Sequence, residues 1–369
     1  MKFKILQENL KQSLQILQNA IPKNPRLPIL SSVYFEIKEG VLTLAATDLY
    51  LGIRTKNRVQ TDKEVKLVLP GEIFKKIIYS LDPGELTVEQ KDKEVIISSG
   101  KSRVKIPMQP ASEYPDFPEI EGQQFSFSAE LMQKTKDLVS FAASSDQARP
   151  VLTAVMHKFS PEGMEIASTD SYRLSLIKNQ EIDSEESFKL LIPAKAMAQV
   201  FRILGQTEED SVGLQVSAEL KQAKFIVDNS EIFVRLIDGD YPPYEKIIPE
   251  EFATKIEVDG ESFEQEVKRA YVLTQETSNI VKLSLVEGEL EVSSHSPTQG
   301  EYKGSLVVEV EGEGSGQVAF NATYLLDMLS SVKPKKITLQ MNDSLKPVML
   351  TTESQPDFKY IVMPFKMND

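Results

Sequence analysis

Two amphipathic helix patterns recur three times along the chain at nearly constant spacing, and this repetition constrains the fold more than any single motif. The clearer pattern has apolar residues at i, i+3, i+4 and i+7, the core stripe of a helix lying on one face. It appears as Phe74, Ile77, Ile78 and Leu81, then Met197, Val200, Phe201 and Leu204, then Leu325, Met328, Leu329 and Val332. Successive copies begin 123 and 128 residues apart. Pro70 and Pro193 precede the first two copies, as suits a strand running into a helix; Asn321 precedes the third as a candidate N-cap. A second stripe opens each third: Leu10, Leu14, Leu17 and Ile21, then Leu131, Leu138 and Ala142, then Phe263, Val267 and Ala270. The middle copy carries polar Thr135 where the others have Leu14 and Val267. Ser128 and Asp259 are placed to cap the second and third copies.

Between the helices the pattern has period two and is rich in β-branched and aromatic residues, as in Val33–Ile37, Met164–Ala167 and Leu290–Ser293. Gly40, Gly163 and Gly288 mark hairpin turns before later strands. A polar turn then follows at Ala46-Thr47-Asp48, at Ser168-Thr169-Asp170 and, less alike, at Ser293-Ser294-His295. Pro-rich stretches at 107–118 and 242–249 read as extended linkers or edge crossings, because proline cannot donate to a ladder. At 369 residues the chain has room for two or three domains. The repeat predicts three of α+β class, at 1–122, 123–252 and 253–369. Three unrelated α+β domains of similar size are the alternative, and four features recurring in one order argue against it.

Composition then excludes several chemistries. There is no cysteine, and the only histidines are His157 and His295, far apart in sequence. Disulfides, thiolate nucleophiles and a His-rich metal site are therefore not expected, and no cofactor or metal is predicted. The sequence contains no P-loop, dinucleotide-binding glycine run, nucleophile elbow or H-E-x-x-H pair. Gly312-Glu313-Gly314-Ser315-Gly316 reads as a flexible loop, and Glu208-Glu209-Asp210 and Glu250-Glu251 as solvated turns. A carboxylate-pair hydrolase leaves no spacing signature, and nothing here supports one. With no secretory signal pattern and no apolar run of spanning length, the expected setting is cytoplasmic, away from membranes. A tripled chain without catalytic motifs suits a binding scaffold rather than an enzyme.

The formal net charge of −13 would ordinarily argue against a nucleic-acid partner. It is segregated by element, however. The six helix windows together carry +3, which leaves −16 on the rest. Residues 193–204 hold Lys195 and Arg202 with no acid, and residues 70–81 hold Lys75 and Lys76 against Glu72. Glutamate forms helices as readily as lysine, so propensity does not account for its scarcity there. The window at 261–273, with Glu261, Glu264 and Glu266, is the exception.

Along its whole length the sequence resembles the beta sliding clamp family of bacterial DNA polymerase III. The resemblance is carried by Met1-Lys2-Phe3, Leu27-Pro28-Ile29-Leu30, Thr47-Asp48-Leu49, Arg149-Pro150-Val151-Leu152 and Thr169-Asp170-Ser171-Tyr172-Arg173-Leu174. It continues through Asp238-Gly239-Asp240-Tyr241-Pro242, Phe320–Asp327 and Val362-Met363-Pro364-Phe365-Lys366. It implies three tandem DNA-clamp domains and a head-to-tail homodimer closed as a six-domain ring around double-stranded DNA, with helices inside and sheets outside. Partners would be a clamp loader, the replicative and other polymerases, and repair proteins carrying clamp-binding peptides. A monomeric three-domain peptide-binding adaptor is the alternative.

Carried over by similarity, the deep apolar part of the peptide pocket would be Leu152, Thr169, Tyr172, Arg173, Leu174, Pro242, Lys246, Ile247, Ile361 and Met363. Arg149, Asn321, Tyr324, Leu345, Pro347, Pro364 and Phe365 would adjoin it. DNA contacts would come from Arg26, Lys75, Lys76, Arg149, Lys195 and Arg202, and the dimer contact from Val104 and Ile106 against Val272 and Leu273. Departures from the family pattern are Gly71-Glu72 at a helix start, Lys246 where arginine is common, and the added Met367-Asn368-Asp369.

Overall fold

The computed structural model describes residues 1–61, 63–275 and 279–366. Among the described residues six α-helices form: α1 (Gln7–Leu17), α2 (Gly71–Ser80), α3 (Ala129–Lys134), α4 (Ala194–Leu204), α5 (Gly260–Val272) and α6 (Ala322–Val332). Each third of the chain thus receives two, as the stripes predict. Leu10, Leu14 and Leu17 of α1, Phe263, Val267 and Ala270 of α5, and Leu325, Met328 and Leu329 of α6 are all buried. In α4 the buried residues are Ala196, Met197, Val200 and Ile203, so Ile203 replaces the expected Phe201 and Leu204 in the core. Asp259 caps α5 by accepting from Ser262 N–H, and Asn321 caps α6 by accepting from Thr323 N–H at 3.0 Å.

The chain divides into two compact units, residues 1–130 with 195–236 and residues 131–194 with 237–369. Each holds one large antiparallel sheet and one four-stranded sheet. In the first unit the large sheet runs Val65–Pro70, Ser32–Lys38, Val41–Thr47, Leu51–Arg58, Ser230–Arg235, Gln222–Val227, Ser211–Ser217, Gln123–Ser128. In the second it runs Phe188–Pro193, Ala154–Ser160, Gly163–Thr169, Arg173–Asn179, Gln355–Val362, Val348–Thr352, Lys336–Met341, Thr254–Asp259, and adds Glu309–Gly312. Both orders are the same, and both cross from one third of the chain to the next at their centre. The compact units therefore do not follow the thirds, because each large sheet is completed by strands from two of them.

Several local expectations are corrected. Ser293-Ser294-His295 is not a turn: the strand Glu289–Ser296 continues through it, with His295 opposite Glu301. The stretch 242–249 is not a plain linker: Tyr244–Ile247 form a 3-10 turn, and Tyr241 and Tyr244 are buried in the core of the second unit. The glycine loop after Gly312 is tied down, Glu313 N–H donating to Ala253 O at 3.0 Å and Thr254 Oγ1 to Glu313 O at 3.2 Å.

Thr135, the polar break in the second stripe, marks a change of helix type. After α3 the chain widens into a π turn at Thr135–Val139 and tightens into a 3-10 turn at Ser140–Ala142. Widening frees carbonyls from their regular partners, and buried carbonyls need replacements. Thr135 Oγ1 donates back to Leu131 O at 2.8 Å. Ser175 Oγ donates to Leu138 O and Ser168 Oγ to Val139 O; these serines face each other across one strand pair. A leucine at 135 could not supply its share of that network.

Candidate functional site

The turn joining Gly163–Thr169 to Arg173–Asn179 is built by its own side chains. Thr169 Oγ1 donates to Arg173 O at 2.5 Å and accepts from Ser171 N–H at 3.1 Å. Asp170 Oδ1 accepts from the amides of Tyr172 and Arg173 at 2.9 and 3.1 Å. These bonds hold Ser171 at φ +84°, an uncommon conformation for a residue with a side chain. The constraint turns Tyr172 outward, 57% exposed. There its ring stacks on Tyr324 of α6, with centroids 6.3 Å apart and planes at 16°.

Arg173 points the other way. Its guanidinium, 9% exposed, donates through Nε to Asp170 at 3.0 Å, through Nη1 to Asp327 at 2.6 Å and through Nη2 to Phe141 O at 3.2 Å. It also lies 4.9 Å from the Tyr324 ring centroid. Burial works against its charge, but Tyr360, Asp327 and Asp170 together raise its pKa. One side chain thereby joins the turn, α6 and the end of the helix after α3. A cation beside that helix end also complements its dipole.

The C-terminal strand Gln355–Val362 completes the floor. Leu174 lies opposite Ile361 and Arg173 opposite Val362, and the next residue continues the ladder, Met363 N–H donating to Tyr172 O at 2.8 Å. Val348 also lies opposite Val362, which brings the loop bearing Leu345 and Pro347 to the same end of the sheet. Phe365 N–H donates to Ala319 O at 2.7 Å, laying the tail beside the strand that ends in Asn321.

The pocket residues inferred from resemblance thus fall within one compact unit and sort by depth. Leu152, Thr169, Leu174 and Ile361 are buried. Arg173, Pro242, Asn321, Tyr324, Pro347, Met363 and Pro364 are half-buried, and Arg149, Tyr172, Lys246, Ile247, Leu345 and Phe365 are exposed. Clustered exposed apolar side chains of this kind mark docking sites. Arg149 is held over the turn by Ser171 Oγ at 3.0 Å and by Asp146 at 3.4 Å. Sequence reasoning missed Tyr241, Tyr244, Ile248 and Phe252, which pack on this floor; the aromatic spacing of 241 and 244 was the available signal. A neighbouring depression of about 880 Å³ is lined both by charged groups, among them Glu165, Lys178, Lys255 and Lys359, and by Leu176, Ile248, Phe252 and Met349.

The basic residues assigned to DNA divide differently. Arg26 and Lys195 are exposed. Lys75 Nζ donates to Gln18 at 3.1 Å, and Lys76 pairs with Glu72 at 3.2 Å on the surface of α2. Arg202 is redirected: Nη1 and Nη2 donate to Gln15 O and Ile16 O at 3.1 and 2.7 Å, and Nε to Gln199 at 3.0 Å. It joins α4 to the carbonyl end of α1 rather than reaching outward. At the predicted dimer contact Val272 is 62% exposed, but Ile106 is 1% exposed and belongs to its own domain's core. Its side chain is filling that core, so what the strand Ser102–Pro107 presents is its free backbone edge, as the outermost strand of its sheet. The tail Met367-Asn368-Asp369 lies outside the described residues.

Among the described residues no group of three or more His, Asp or Glu is placed to hold a metal, and no helix is long and apolar enough to cross a membrane.

Three family models match end to end: the N-terminal, central and C-terminal domains of the DNA polymerase III beta subunit, at residues 1–118, 126–243 and 245–366. The chain is 28% identical to the beta sliding clamp of Synechococcus elongatus over 100% of both chains, and 27% identical to that of Staphylococcus aureus over 99% of both. Its fold superposes on the DNA polymerase sliding clamp of Bacillus subtilis at 27% identity with a TM-score of 0.94, and on the beta subunit from Thermotoga maritima at 27% with 0.91, each covering 100% of both chains. Three consecutive domain matches, full-length relatives and a shared fold establish that the chain belongs to the DNA polymerase III beta subunit family, the beta sliding clamps.

Proposed function

We propose that two copies close head to tail into a ring that encircles duplex DNA without reading its sequence, and that the site around Tyr172 tethers polymerases and other partners through short linear peptides. The carrying observation is a pair of free sheet edges. Ser102–Pro107 ends one four-stranded sheet and Gly300–Val307 ends the other. An unpaired edge is a template for another chain, and joining two different edges head to tail produces a heterologous contact that closes when the rotation allows. Val307 is 87% exposed on one of these edges, and Val272 is exposed at the end of α5, which packs against the same strand. The domains of the ring are taken as 1–122, 123–252 and 253–369.

In this reading the chain is a non-catalytic accessory subunit acting in the cytoplasm, loaded by a clamp loader and shared among replicative, other polymerase and repair partners. Holding DNA by enclosure needs few phosphate contacts, and those must exchange readily for the ring to slide. Tyr172, Ile247, Leu345 and Phe365 would receive apolar peptide side chains, with Arg149 and Lys246 as polar anchors.

The test is retention on nicked circular DNA with release on linearisation, alongside light scattering, which should give twice the 41.4 kDa chain mass. A stable monomer at micromolar concentration would sink the ring and leave the adaptor reading. Met363→Ala, or removal of residues 363–369, should abolish binding of a Leu- and Phe-bearing peptide while the dimer persists; unchanged affinity would refute the site.

A further inference from the structure

The first unit contains a copy of this site, and its centre is occupied by the chain itself. The central strand pairs match residue for residue: Leu51 to Thr55 against Val234 to Ser230 in the first unit, Arg173 to Ile177 against Val362 to Phe358 in the second. The turns match bond for bond. Thr47 Oγ1 donates to Leu51 O at 3.0 Å and accepts from Leu49 N–H at 3.0 Å. Asp48 Oδ1 accepts from the amides of Tyr50 and Leu51 at 2.9 and 2.7 Å, and Leu49 sits at φ +76°. Arg235 N–H donates to Tyr50 O at 3.0 Å, where Met363 meets Tyr172. The rim is repeated too. Tyr50 is 70% exposed in the place of Tyr172, and Leu220, 46% exposed, holds the place of Leu345. Leu236 N–H donates to the carbonyl of Lys221, next to Leu220, which keeps that loop at the same end of the sheet.

The floor differs in several residues, Leu51 standing for Arg173 and Phe233 for Ile361, and most sharply at Gly52. Register puts Gly52 where the second unit has Leu174. Over Gly52 lies the Phe117 ring, so close that a Cβ on Gly52 would stand 2.8 Å from Phe117 Cε1. Phe117 packs edge-on against Phe233, the counterpart of Ile361, with centroids 5.3 Å apart at 62°. It arrives on Tyr114-Pro115-Asp116-Phe117, the counterpart of Tyr241-Pro242-Pro243-Tyr244. Tyr114 anchors that segment by accepting from Thr47 N–H at 3.2 Å. Tyr244 instead extends along its sheet to Glu165. Phe117 is itself only half-buried, and displacing it would uncover the buried Gly52 and Phe233 beneath it.

We propose that the first unit carries a second peptide pocket, which takes an aromatic side chain of a linear peptide and is held shut by Phe117 as a built-in occupant. The ligand class rests on the second-unit reading above and on the ring already seated there, a phenylalanine held edge-on by Phe233. The chain would then show one accessible peptide site and one masked site. Simple filling of the space left by Gly52 is the competing explanation, and it predicts no new binding when Phe117 is removed.

The experiment is a stoichiometric titration of the full-length protein, wild type and variants, with a fluorescein-labelled peptide bearing one Leu and one Phe. Wild type should bind one peptide per chain, Met363→Ala none, Phe117→Ala two, and Phe117→Ala with Met363→Ala one. Gly52→Ala expels the ring from the other side and should also give two, which covers a folding failure of Phe117→Ala. If both first-unit variants stay at one peptide, lost on adding Met363→Ala, the masked pocket is wrong while the second-unit site stands. If wild type binds none but Phe117→Ala binds one, the second-unit reading fails and the masked pocket stands. If no form binds, both fall.

Discussion

Replacing Arg173 with methionine removes a charge and three hydrogen bonds while keeping most of the stem, so it isolates what the guanidinium does. The acceptors are unequal. Asp170 is 16% exposed and Asp327 48% exposed, and the third is the backbone carbonyl of Phe141. A hydrogen bond to a poorly solvated carboxylate contributes about 1.5–3 kcal/mol and one to a carbonyl about 0.5–1.5. The half-exposed Asp327 is discounted to about 0.2–1 kcal/mol, as for a surface pair. Together the middles of these ranges give about 4 kcal/mol for Arg173→Met, concentrated at the turn and at residues 135–142 rather than spread over the chain. If exchange there proceeds through local opening, that corresponds to amide exchange faster by roughly 1,000-fold. Hydrogen exchange read by mass spectrometry on peptides spanning 135–142 and 169–173 measures it, with α1 of the first unit as the internal control. Asp327→Asn should reproduce only a small part of the effect, and the double variant should couple by less than about 1 kcal/mol. Exchange at 135–142 unchanged to within threefold would refute the claim that Arg173 holds that helix end.

Two further outcomes follow from the same unit. Ser175→Ala removes the hydroxyl that satisfies Leu138 O in the π turn, both residues being buried; it should cost about 1–3 kcal/mol, seen as faster exchange confined to the 135–142 segment. His157 is fully buried, and desolvation lowers its pKa from 6.5 to about 4, only partly offset by the Val155 carbonyl. A base depressed in the folded state protonates first in the unfolded chain. Stability is therefore full above pH 6.5 and declines as pH falls towards 4, by up to about 3 kcal/mol. His157→Leu should flatten that stretch of the profile in urea unfolding, and parallel profiles would disprove the assignment.

What the sequence made legible follows from how local each cause is. The Thr-Asp turns at 47–48 and 169–170 are closed by bonds spanning two to four residues, so their chemistry is written in adjacent letters. The helix stripes likewise depend on near neighbours, and Thr135 drew notice where its helix changes type. The shared sheets are a different matter. Pairing of Arg173 with Val362 spans most of two domains, and nothing near either residue announces the other. For the same reason Leu152, Leu174 and Ile361 read as ordinary core until the resemblance placed them together. Ser293-Ser294-His295 misled because a polar triplet in a half-buried strand has the composition of a turn.

The charge pattern changes meaning once Arg202 and Arg173 are compared. Each places a guanidinium against carbonyls at the end of the first helix of its unit's repeat, Arg202 on Gln15 and Ile16, Arg173 on Phe141. They reach that position from different elements, one from α4 and the other from the turn below Tyr172. The shared demand is physical: a helix that ends in 3-10 geometry leaves carbonyls facing a partner helix, and a cation satisfies both their hydrogen bonding and the dipole. Arg202 is thus already engaged, and the most basic helix window offers solvent only Lys195. Lys76 is likewise partnered by Glu72. With Arg202 and Lys76 engaged in this way, these helices leave few cations free to reach a phosphate directly. A surface of that kind binds DNA weakly by itself, so in the proposed ring the persistence of the complex has to come from closure.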